Sequence, residues 1–115
     1  MKNVRSLALA FALIAAGQAQ AQGEIVGVGM NNCAEWLDAR ADMARTGGSH
    51  EYGYMISWVQ GYLSALNRDR SMRKLKPVPI PAVSVLSYQL DNNCRAKPAS
   101  YLANEALAIY AAQLP

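Results

Sequence analysis

Asn32-Cys33-Ala34-Glu35-Trp36-Leu37 (32–37) is where the architecture becomes readable. Asn32 stands three residues before Glu35. In a capping box at that spacing each side chain takes the other residue's backbone N–H, so a helix is expected to start here. Cys33, Trp36, Leu37, Ala41 and Ala44 follow at helical spacing, with Glu35, Asp38, Arg40, Asp42 and Arg45 mostly on the opposite face. Gly47-Gly48 ends this first helix.

Cys33 has one potential partner, Cys94, 61 positions on. An isolated pair in a small exported domain reads as a disulfide. Closing so long a loop is worth roughly 4 kcal/mol in the chain-entropy account, comparable with the whole stability of a domain this size. There is no Cys-x-x-Cys, and His50 is the only histidine, so a redox pair or a zinc site lacks its ligands.

Downstream, Ser49 is a plausible N-cap for a second helix reaching about Asn67, with Met55, Trp58, Val59, Tyr62, Leu63 and Leu66 as its apolar stripe. Gly53, Ser57, Gly61 and Ala65 recur every four residues on another strip. Interior glycines cost about 1 kcal/mol each against alanine, and close packing of another helix on that strip is the expected compensation. Arg68–Lys76 (RDRSMRKLK) then reads as a basic loop, and Pro77-Val78-Pro79-Ile80-Pro81 as an extended spacer. A third helix is expected from Pro81, carrying Val83, Leu86, Leu90 and Cys94 and ending at Asn92-Asn93. A fourth is expected after Pro98, with Leu102, Ala103, Ala106, Leu107, Tyr110 and Leu114 inward. Nothing alternates as a strand would. The expected fold is all-α: a small, orthogonal four-helix bundle whose single disulfide joins the start of helix one to the end of helix three.

Working back from Asn32, Gln22–Asn31 contains three glycines and reads as a flexible leader to a helical domain spanning 32–115. Residues 1–21 have the layout of a cleaved signal peptide. Lys2 and Arg5 precede the apolar run Leu7–Ala16, and Ala19-Gln20-Ala21 fits the small-x-small rule for cleavage. The run is too short for the roughly 30 Å of a bilayer core, so no stable membrane anchor is expected. Export to the periplasm follows. The net charge of +3 drops to +1 once Lys2 and Arg5 are removed. That near-balance, with export, sets nucleic acid aside as a partner.

No catalytic constellation emerges. His50 sits by a helix cap in a glycine-rich turn, where a solvated role is expected, and Asp38 and Asp42 are explained by ion pairs with Arg40 and Arg45. No nucleophile elbow, phosphate loop or metal-ligand motif is present. The expectation is therefore no enzyme, no cofactor and no metal. The aromatics fall mostly on apolar stripes and read as core. The partner-binding candidates are Trp58, Gly61 and Tyr62 on the second helix, with Arg68, Arg70, Arg73, Lys74 and Lys76 in the basic loop. That loop reads as a solvated charged turn, as a patch for an acidic protein, or as one for anionic lipid headgroups or polymer.

With its length, single disulfide, helical character and the C-x-x-x-P segment Asp91-Asn92-Asn93-Cys94-Arg95-Ala96-Lys97-Pro98 leading into the helix Ser100–Leu114, the chain resembles the HdeA/HdeB periplasmic acid-stress chaperones. Their first cysteine also opens a helix, as Cys33 does. The resemblance spans Cys33–Leu114. It implies a homodimer, closed at neutral pH, that acid loosens to hold unfolding clients. Glu24, Glu35, Asp38, Asp42, Glu51, Asp69, Asp91 and Glu105 would neutralise, leaving the Lys/Arg side chains and His50 to repel. The segment Ser57-Trp58-Val59-Gln60-Gly61-Tyr62-Leu63, the proline-rich spacer and the wider cysteine separation depart from that pattern.

A Gly-Tyr helix between two cysteines, then a C-x-x-x-P turn into an alanine-rich helix, is also similar to the Rap/Tai immunity proteins. That likeness implies a rigid periplasmic inhibitor covering the cleft of a cell-wall-degrading effector, with Arg68–Lys76 as the contacting segment.

Overall fold

A computed structural model describes residues 24–115. The expected signal peptide, together with Gln22 and Gly23, lies outside the described residues. A one-turn 3-10 helix, Gly27–Met30, precedes α1 (Cys33–Thr46), α2 (His50–Met72), α3 (Val83–Ala96) and α4 (Leu102–Ala111). Among the described residues there is no strand, only an isolated antiparallel bridge between Asn32 and Tyr101. The chain folds as an all-α four-helix bundle with one disulfide, Cys33–Cys94.

Both halves of the capping box form at α1: Glu35 N–H donates to Asn32 Oδ1 at 3.0 Å, and Asn32 N–H to Glu35 Oε2 at 2.8 Å. Gly47 closes the helix in the left-handed region at φ 75°. Further α1 donors are met by the connection between α3 and α4. Cys33 N–H bonds to Ser100 O at 2.8 Å and Ala34 N–H to Pro98 O at 3.2 Å, while Leu102 N–H returns to Asn31 O at 2.9 Å. Pro98–Tyr101 therefore serves the start of α1, and α4 begins only at Leu102, later than the sequence suggests.

Helix α2 starts on Ser49, whose Oγ accepts from Tyr52 N–H. It continues five residues past the expected end, because Arg68–Met72 are mostly good helix formers and Asp69 pairs with Arg73 one turn on. The expected basic loop is thus half helix. Helix α3 likewise differs: Pro81 lies outside it, and it runs through Asn92-Asn93 to Ala96, which brings Cys94 in line with Cys33 at a Cα separation of 4.8 Å.

The core gathers Trp36, Val59, Leu63, Leu86, Leu90, Leu102 and Ala106 around the disulfide. Val78 joins it from the proline spacer, which is anchored by Asn67. The Asn67 side chain donates to Val78 O at 2.8 Å, and its Oδ1 accepts from Val78 N–H at 3.0 Å and from the Tyr110 hydroxyl at 2.8 Å. Several expected core positions face outward: Ala41 and Ala44 of α1, Val83 of α3, and Leu107 and Leu114 at the end of the chain. Tyr54, Tyr88 and Tyr101 are exposed as well.

The flexible leader differs too. Gly27–Met30 packs on α2, with Trp58 Nε1 donating to Val26 O at 3.1 Å. Gly29 lies flat on the indole, where a Cβ would come within 2.2 Å of the ring. The glycine was needed for close approach, which the reading as loose chain overlooked.

Candidate functional site

Two places concentrate polar chemistry. The first is a clamp between α1 and α3. Trp36 lies one turn after Cys33 and Asp91 one turn before Cys94, so helices running in opposite directions through the disulfide set these two side chains opposite one another. Trp36 Nε1 donates to Asp91 Oδ1 at 2.8 Å. One turn further on, Arg40 donates from Nε to both carboxylate oxygens, at 3.1 and 3.2 Å, and from Nη2 to Oδ2 at 3.1 Å. Asp91's side chain is 10% exposed and Arg40's 30%. Hydrogen bonding to Asp91, reinforced by its charge and opposed by partial desolvation, raises the Arg40 pKa above its ordinary value. The guanidinium also lies 5.1 Å from the Tyr52 ring centroid. Tyr52 in turn packs against Trp36 at 5.7 Å and shares a 3.0 Å hydrogen bond with the buried Ser87 hydroxyl.

Arg40 was expected on the outer face of α1 as a surface partner for the acids there. It turns inward to Asp91, while Arg45 pairs with Asp42. The inward turn leaves α1's small residues on the surface. Leu37, Ala41 and Ala44, with Met43 and Arg95, border a groove of about 510 Å³ beside the clamp. A second buried carboxylate, Glu105 in α4, accepts from Ser100 Oγ at 2.7 Å.

The second place is the end of α2. Arg73 caps the helix and Lys74 follows in the left-handed region at φ 59°. Leu75 N–H bonds to Arg70 O at 2.8 Å and Lys74 N–H to Ser71 O at 3.0 Å, the bond pattern of a Schellman turn with lysine at the position glycine usually holds. Arg70 Nε donates to Lys76 O at 2.9 Å across the turn. The result is a folded, cationic tip. Met72 and Leu75 stand exposed between its cations.

The sequence-derived candidates do not form one patch. Trp58 and Tyr62 stack at 5.0 Å, half-buried, with the glycine turn on the indole. Burial raises the Tyr62 pKa above its ordinary value. Gly61 lies on the outer side of the same helix. Among the described residues, no atom of another element comes within 4 Å of where a Cβ would stand on Gly53 or Gly61, so no described helix packs closely on the strip at its two glycines. Arg70, Arg73, Lys74 and Lys76 do come together, at the tip, with Arg68 exposed about a turn earlier on α2.

What sequence reasoning missed was Asp91 as the hub of the clamp and Met72 and Leu75 as exposed members of the tip. The first had a signal in the matched one-turn offsets of Trp36 and Asp91 from their cysteines. The second had one in the apolar residues of RDRSMRKLK.

Among the described residues, no group of three or more His, Cys, Asp or Glu is placed to hold a metal ion, and no helix is long and apolar enough to cross a membrane. No protein-family model, curated protein or solved structure matches the chain.

Proposed function

We propose that this is a small exported protein of the periplasm that acts by binding other proteins, and that acid releases it to hold unfolding clients. The observation that supports this reading is the Asp91 clamp. One carboxylate, largely withdrawn from water, joins Trp36 and Arg40 of α1 to α3. Protonating it removes the anion that Arg40 needs and weakens the contact covering Trp36, Leu86 and Leu90. Neutralised carboxylates elsewhere, Glu105 among them, leave the remaining positive charges to drive the helices apart. The disulfide keeps α1 and α3 tethered while apolar surface opens, so the change is reversible.

The test is a titration of the purified protein from neutral pH to about pH 2. Apolar-dye binding is followed together with suppression of aggregation of an acid-unfolded client. Dye binding and protection are expected to rise together as acid is added. A chain that stays closed and inactive at the acid end removes the reading.

A further inference from the structure

Charge is unevenly distributed over the described residues. Arg68–Lys76 hold five of their nine Lys and Arg and only one of their eight Asp and Glu, so the tip is net positive and the remainder net negative. Asp69, the one acid, is occupied by Arg73. The Schellman turn and the Arg70–Lys76 hydrogen bond give the tip a fixed shape at the end of α2, the longest of the described helices. Met72 is 75% exposed and Leu75 44% exposed among these cations. Solvation of a charged turn accounts for the cations but not for two large apolar side chains held outward beside them. An acidic protein would match the charges but would need shaped pockets for Met72 and Leu75. A headgroup layer takes both without shape.

We propose that this tip docks the protein reversibly on anionic phospholipid surfaces, with Met72 and Leu75 entering the headgroup boundary while Arg68, Lys74 and Lys76 engage lipid phosphates. The net-negative remainder is repelled by the same surface, which orients the molecule tip-first. The inference does not depend on acid activation. It rests on the placement of charge and apolar side chains alone.

The test uses protein without residues 1–21, because the apolar run Leu7–Ala16 would itself enter a bilayer and the described core lies within Cys33–Tyr110. It is floated with vesicles of equimolar phosphatidylglycerol and phosphatidylcholine, and with pure phosphatidylcholine vesicles, at low and high salt. Binding only to the anionic vesicles, falling with salt, is expected. Each cation should contribute about fivefold, so Arg68→Gln with Lys76→Gln should weaken partitioning about 30-fold. Met72→Ser with Leu75→Ser, which leaves every charge in place, should weaken it about tenfold or more. All four substituted side chains are exposed, so helix content and melting midpoint serve as controls for folding.

Failure to float with anionic vesicles overturns the proposal, as does equal binding to the neutral ones. So does wild-type affinity in the Met72→Ser, Leu75→Ser protein combined with displacement by soluble polyglutamate, which would make the tip a reader of acidic polymer or protein.

Discussion

Trp36 and Asp91 meet one helical turn inside the disulfide, the indole N–H donating to a carboxylate that Arg40 grips from the other side. The covalent bond and the polar clamp therefore fix the same pair of helices at neighbouring levels. Asp91→Asn keeps the shape and an acceptor for Trp36 but leaves Arg40 without its anion. A loss of about 2 kcal/mol is expected, given that Arg40 is partly solvated. Urea unfolding at neutral pH measures it. Adding Arg40→Met should recover part of the loss, because the uncompensated charge goes with it.

Asn67 holds the proline spacer to the bundle by bonding both polar groups of Val78 and the Tyr110 hydroxyl. Asn67→Ala leaves all three unpaired around a buried valine. About 2–3 kcal/mol of destabilisation is expected, with amide exchange at Val78 rising ahead of exchange in the helices.

Gly29 has no room for a methyl group against Trp58. In Gly29→Ala either the 3-10 turn lifts or the indole moves, at a cost of about 1–3 kcal/mol. The emission of Trp58 should shift to the red, with that of the buried Trp36 unchanged, as read in single-tryptophan backgrounds.

Lys74 occupies the left-handed position of the turn after α2, where a side chain is disfavoured. Lys74→Gly relieves that strain but gains freedom in the unfolded chain. A net stabilisation of about 0.5 kcal/mol is expected, visible as a higher denaturation midpoint with an unchanged slope.

Burial keeps the Tyr62 phenol protonated beyond the ordinary tyrosine value of 10.0. Its folded pKa lies above the unfolded one, so the contribution of the neutral phenol is whole below about pH 10 and is lost as pH rises through the folded value. Stability should fall in that alkaline window, and Tyr62→Phe should remove part of the fall while leaving the neutral plateau in place. Arg40 has the same sign, with its own titration at still higher pH.

The helices were legible because their signals are local. The Asn32–Glu35 box, Gly47 and Ser49 punctuate the chain without reference to anything distant, and Cys94 was the only partner Cys33 could have. The misreadings have a common physical source. Arg40, Ala41 and Ala44 were sorted by polarity around one helix, but a distant carboxylate drew Arg40 inward and left the alanines in water. Gly29 and Val78 sit in segments whose composition says loop, and their roles depend on Trp58 and Asn67, 29 and 11 residues away. The cationic tip was found by composition. Its shape was not, because a Schellman turn with lysine in place of glycine has no sequence signature.

The hydrogen bonds from Cys33 and Ala34 to the carbonyls of Ser100 and Pro98, with the return from Leu102 to Asn31, sew the first helix to a connection near the far end of the sequence. A polypeptide is made from its amino end, so α1 lacks its closing partners, and Cys33 its mate, until α3 and the segment after it have been synthesised. The contacts that close the start of α1 therefore form late, and folding of this domain cannot be completed until the segment after α3 is available to it.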